Sequence, residues 1–109
     1  MNKKLATTTF DIVGYEAIEN LGICRGVIVR SKSFVGNFGA ALQSVVGGNI
    51  SIYSDLCDKT REEAFGLMIR HAEEMGADGI IGVRYESNEI AQGLAEILCY
   101  GTAVKLNKK

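Results

Sequence analysis

The side chains able to do chemistry are few, and their spacing decides which chemistry stays open. Cys24, Cys57 and Cys99 are the only thiols in the 109 residues, and His71 is the only imidazole. A soft-metal site needs such groups within about 2.0–2.3 Å of one ion, and its local signal is a close pair such as CxxC or CxH. None occurs here: Cys57 lies 33 positions after Cys24, and Cys99 a further 42 on. Cys24 and Cys99 meet only if their strands are neighbours, and free cysteine is also among the most commonly buried small residues. His71 lies on the apolar stripe of a predicted helix, where one hydrogen-bond partner satisfies it. Cys24, His71 and Cys99 are therefore the candidate metal ligands, with a transition-metal ion as the cofactor they leave open. Core packing is the simpler reading of all three.

Carboxylates are tested the same way. Glu62-Glu63 and Glu73-Glu74 are adjacent helical residues that project about 100° apart, so they do not converge as an acid/base pair. Arg84 and Glu86 share one face of a predicted strand, and Glu96 and Tyr100 stand on its probable partner. These four are the candidate ligand-binding residues, and between two subunits they would also be the candidate site of an enzyme. VGNFGAAL, residues 35–42, offers exposed amides at the N-terminal end of a predicted helix, where an anion is favoured. It lacks the GK[ST] of a phosphate loop and the GxGxxG of a dinucleotide site. With one histidine and no nucleophile elbow, no hydrolase triad is assembled. No catalytic residue is assigned, and the reading favours a protein that is not an enzyme.

The elements that must position these groups follow from periodicity. TTFDIV, residues 8–13, reads as a short strand closed by Gly14, and Cys24–Ser31 as a second, with the less regular YEAIENLG between them. Ile23, Arg25, Val27 and Val29 alternate with Cys24, Gly26, Ile28 and Arg30, so both faces carry apolar residues and the strand expects cover on both, by a helix or another subunit. Phe38, Ala41, Leu42, Val45 and Val46 predict a first helix over Val35–Val46, ended by Gly47-Gly48. NISIYS after it reads as a turn or a helical start. Ala64, Leu67, Met68, His71, Ala72 and Met75 predict a second helix, about Asp55–Met75, capped by Gly76. Phe65 and Ile69 widen its apolar arc and suggest a second contact, and Gly66 suggests close backbone approach there. Gly79–Glu86 reads as a strand turning at Glu86–Glu89, and Leu94–Leu106 as its antiparallel partner, with Ala95, Ile97, Cys99, Gly101 and Ala103 forming a small face for a helix. The order β, β, α, α, β, β is α+β: a small antiparallel sheet with two helices.

Composition bounds the rest. One domain over residues 1–109 is expected, 47% of it hydrophobic. A net charge of −1 offers no field for phosphate backbones, so no nucleic acid partner is expected. No window approaches the ~20 apolar residues of a membrane span. The start MNKKLATTTF lacks the apolar stretch of a signal peptide, and the odd, scattered cysteines suit a reducing compartment, so the expected location is cytoplasmic.

The N-terminal TTT, GVIVRS, SVVGGNISIYS, REEAF, MGADGIIGVRYE and GTAVKL together resemble the YbjQ-like family, small and mostly uncharacterised proteins sometimes labelled heavy-metal-binding. The resemblance covers about Thr7 to Leu106 and implies a dodecin-type subunit fold associated into a homopentameric ring. It brings no ligand set that carries across. The expected function is a non-enzymatic ring that binds a small ligand or serves as an assembly module. The alternatives are a heavy-metal-binding protein using Cys24, His71 or Cys99, and an enzyme with a site between subunits.

Overall fold

In the computed structural model, residues 1–31 and 51–109 are described. A short 3-10 turn at Lys3–Leu5 precedes strand β1 (Tyr15–Ser31), helix α1 (Ser51–Glu74), β2 (Gly79–Ala91) and β3 (Leu94–Lys108). The strands form one antiparallel sheet in the order β1-β3-β2, which makes the fold α+β. The first predicted helix, with VGNFGAAL and Gly47-Gly48, lies outside the described residues.

Register decides which side chains share a face. Cys24 pairs with Gly101, Gly26 with Cys99 and Ile28 with Ile97, while Ile80 on β2 pairs with Ala103. All of these point to one side, and α1 lies on it. Thr60, Ala64, Met68 and Ala72 recur every four residues along the buried face of α1, with Ile69 beside them. Together with Cys24, Ile80, Val83, Cys99 and Ala103, the three apolar members of that face and Ile69 form the core, where a fully buried Ile or Met contributes roughly 1.5–3 kcal/mol. The helix sits this low because Gly26 has no side chain: a Cβ there would stand 2.6 Å from the Met68 amide and 2.8 Å from Leu67 Cβ. The helix ends as its glycine predicts. Gly76 has φ +82°, its amide donates to the Glu73 carbonyl, and the Ala77 amide reaches back to Ala72, closing a Schellman cap.

Several expectations are corrected. TTFDIV is no strand: the Thr9 hydroxyl donates to the Asp11 carbonyl and that of Thr7, just before the segment, to the Thr9 carbonyl, local bonds that compete with a ladder. The segment instead borders β2, the Gly82 amide donating to the Thr9 carbonyl, and just ahead of it the Thr7 amide donates to the Ile80 carbonyl and the Val83 amide to the Thr7 carbonyl; Ile12 comes down beside Gly79. YEAIENLG belongs to β1, its irregular pattern reflecting register shifts between Ala17 and Glu19 and between Asn20 and Gly22. The β2–β3 turn is not at Glu86–Glu89 but at Gln92-Gly93, where Gly93 supplies φ +80°. The polar run instead continues as a ribbon exposed to solvent. Ile69 is buried with this chain's own core, and the first helix, one of the two contacts expected for Phe65 and Ile69, lies outside the described residues. Gly66 has nothing within 4 Å of where a Cβ would stand, so no close approach explains it.

These two glycines separate packing from propensity. Gly26→Ala is expected to lower the unfolding free energy by about 1–3 kcal/mol or more, since helix backbone must move. Gly66→Ala, in open space on an exposed helix surface, is expected to raise it by up to about 1 kcal/mol. Urea unfolding of both variants checks the contrast.

Candidate functional site

The seven candidate residues fall on two opposite sides of the sheet. Cys24 and Cys99 lie under α1 with no exposed surface. The Cys24 thiol donates to the Gly101 carbonyl at 3.6 Å, and the Cys99 thiol to the Met68 thioether at 3.6 Å. Burial pushes the Cys24 thiol up, and pushes Cys99 up to about 11 against a lowering hydrogen bond from Tyr85. Metal ligation requires thiolates, and a dry pocket that holds both thiols protonated opposes it.

His71 is half-buried at the flank of α1, and its Nδ1 accepts the Arg25 backbone amide at 3.0 Å. Among the described residues β1 is an edge strand, and this imidazole satisfies an amide that no described strand takes. One ring nitrogen is thereby spent on the fold. Cys57 is exposed on α1. Among the described residues no three His, Cys, Asp or Glu side chains converge to hold an ion. The donor set of Cys24, Cys99, Met68 and His71 does not fit a heavy-metal centre.

The other four candidates share the face that α1 leaves open. Three registered rows run across it from β1 through β3 to β2: Arg25–Tyr100–Arg84, then Val27–Leu98–Glu86, then Val29–Glu96–Asn88. Ile23, Val27, Val29 and Leu94 are exposed here, Ile23 to 68%. The Tyr100 hydroxyl donates to Glu86 at 3.2 Å, and that carboxylate holds the phenol above its usual range. Arg84 donates to the Thr8 carbonyl at 2.9 Å and stands 5.9 Å from the Phe10 ring centre. Arg25 and Glu96 side chains have no hydrogen bond or ion pair among the described residues. Glu96 lies four residues from Tyr100, about 13 Å along the strand, so the four groups do not close around one reacting atom within a chain.

Arg25 is the member that sequence reasoning passed over. Its signal was present in the alternation with Val27 and Val29, but only the register places it beside Tyr100 and Arg84. A groove of about 520 Å³ along α1 is lined by Lys3, Ile28, Glu63 and Arg70 among others and contains none of the seven candidates. Its acids Glu63 and Glu73 are paired with Arg30 and the terminal amine of Met1.

A family model described as "Putative heavy-metal-binding" matches residues 4–107. The chain belongs to the YbjQ family. It is 53% identical over 103 residues to a UPF0145 protein of Chromobacterium violaceum, covering 94% of this chain and 88% of that one. A UPF0145 protein of Solibacter usitatus is 52% identical over 103 residues, at 94% and 92% coverage. A crystal structure of a DUF74-family protein of unknown function from Pediococcus pentosaceus superposes with a TM-score of 0.60 at 17% identity, covering 94% of this chain and 96% of that chain. That likeness shows the fold. In this YbjQ member the metal wording of the family description has no matching donor cluster among the described residues.

Two measurements check the buried thiols. A thiol reagent at neutral pH is expected to label Cys57 rapidly and to reach Cys24 and Cys99 only on unfolding; mass mapping of labelled peptides reads this. The native state also holds the Cys99 proton more tightly than the unfolded chain, whose thiol titrates near 9.0. The stabilisation is therefore complete below pH 9 and lost as pH rises towards about 11. Tyr85, pushed up to about 12 chiefly by burial, adds loss in the same direction between 10 and 12. Urea midpoints across pH 8–11.5 are expected to fall steadily above 9.

Proposed function

We propose that this chain is a non-enzymatic, cytoplasmic self-assembly module: a dodecin-type subunit of a homopentameric ring in which neighbouring copies cover the open sheet face. The observation that carries the reading is that face itself. Ile23, Val27, Val29 and Leu94 span two of its strands in exposed positions, and nothing in the described chain covers them. Apolar side chains exposed on adjacent strands of one face are the kind that association removes from water.

The shape supports the same reading. The chain extends 55 × 28 × 18 Å with a radius of gyration of 17.1 Å, against about 13 Å for a compact domain of about this length. The number five comes from the family resemblance. Arg84, Glu86, Glu96 and Tyr100 lie on the face to be covered, so a small ligand held by the ring would meet them between subunits. Among the described residues no helix is long and apolar enough to cross a membrane.

Native mass spectrometry of the purified protein at micromolar concentration is expected to show a pentamer. A monomer would refute the assembly reading, and another stable stoichiometry would refute the ring number while keeping assembly.

A further inference from the structure

The open face carries its charges in a separated order. The row Arg25–Tyr100–Arg84 places two cations at one end, and the row Val29–Glu96–Asn88 places an anion on the central strand at the other. Val27 and Leu98 occupy the row between them, with Glu86 at its β2 end held by the Tyr100 hydroxyl. Along the strand the cationic and anionic rows are about 13 Å apart, too far for Arg25 and Glu96 to pair within one sheet. Both side chains nevertheless stand without a partner among the described residues. A surface with unpartnered cation and anion on either side of an apolar strip is complementary to a second copy of itself.

Resting on the assembly reading above, we propose that the occupant of this face is another copy of the chain, with Glu96 of one copy inserted between Arg25 and Arg84 of the next. Reversing one face over the other by a two-fold axis through the middle row sets basic row on acidic row, brings the Val27–Leu98 strips into apposition and pairs the charges as they leave water. The opposite superposition sets arginines against arginines, so the charges select the register as well as favouring contact. Packing this face on the same face of another copy is a two-fold contact, so it uses both halves of each copy reciprocally and, in an assembly of five-membered rings, joins copies of two rings rather than neighbours around one. Arg84 remains tied to Thr8 and Phe10, which fixes one jaw of the clamp, while Arg25 is the free jaw. Glu86 stays outside the exchange, engaged with Tyr100.

Arg25→Glu and Glu96→Arg are the diagnostic variants, because neither side chain has a described partner whose loss would disturb the subunit; thermal melts compare their folding with wild type. Sedimentation and native mass spectrometry are then run on the wild type, on each variant, and on an equimolar mixture of the two. Each variant alone is expected to weaken self-association at least tenfold. The mixture is expected to form mixed assemblies, since acid-for-base in one chain meets base-for-acid in the other. Variants that assemble as tightly as an oligomeric wild type would overturn the charge register and leave the assembly reading standing. Variants that both dissociate but fail to form mixed species would also overturn it. A monomeric wild type would overturn both.

Discussion

The missing side chain of Gly26 is the constraint on which the described structure depends. It lets the backbone of α1 rest on β1, and that seating selects the face of the sheet the helix takes. Cys24, Cys99, Gly101 and Ala103 continue the small surface around it. Gly101 is itself confined, since a Cβ there would lie 2.7 Å from Ile80 Cγ2 and 3.0 Å from the Ile81 carbonyl. A helix can lie close only on the side where strands present little bulk. The larger Ile23, Val27, Val29 and Leu98 alternate to the opposite side, where no layer covers them among the described residues. Core formation and the open face are thus two results of one period-two alternation.

The same division explains why the groups that first suggest metal chemistry and those that suggest a polar site have different fates. Cys24 and Cys99 belong to the small face and become protonated core thiols. His71 sits where α1 passes β1 and is used as an acceptor for the Arg25 amide. Arg25, Arg84, Glu86, Glu96 and Tyr100 belong to the bulky face and remain at the surface. The chain's concentrated polar chemistry therefore lies on the side that association would cover.

Much of the helical half was legible in the sequence. The stripe through Ala64, Met68 and Ala72, the cap at Gly76 and the pairing of two C-terminal strands follow from local periodicity and from the left-handed turn that glycine accepts. The helix runs further back, to Ser51, because its first turns carry no regular apolar pattern. The N-terminal strand was misplaced because β-branched threonines read as strand formers, whereas their hydroxyls here bond nearby carbonyls. Hairpin length was misjudged because polar Glu86–Glu89 looks like a turn when isolated, while Gly93 with its positive φ sets the reversal. At the site, alternation placed Arg84 with Glu86, but register alone adds Arg25 and separates Glu96 from Tyr100 by two rows. Register depends on bulges, such as the shift between Ile81 and Arg84, that no local pattern marks.

Small-angle scattering across a concentration series tests most directly whether the open face is an assembly surface. The account predicts a radius of gyration well above the 17.1 Å of the single chain at micromolar concentration, falling towards that value on dilution or when charge is introduced at Val27. A radius that stays near 17.1 Å at every concentration would contradict it.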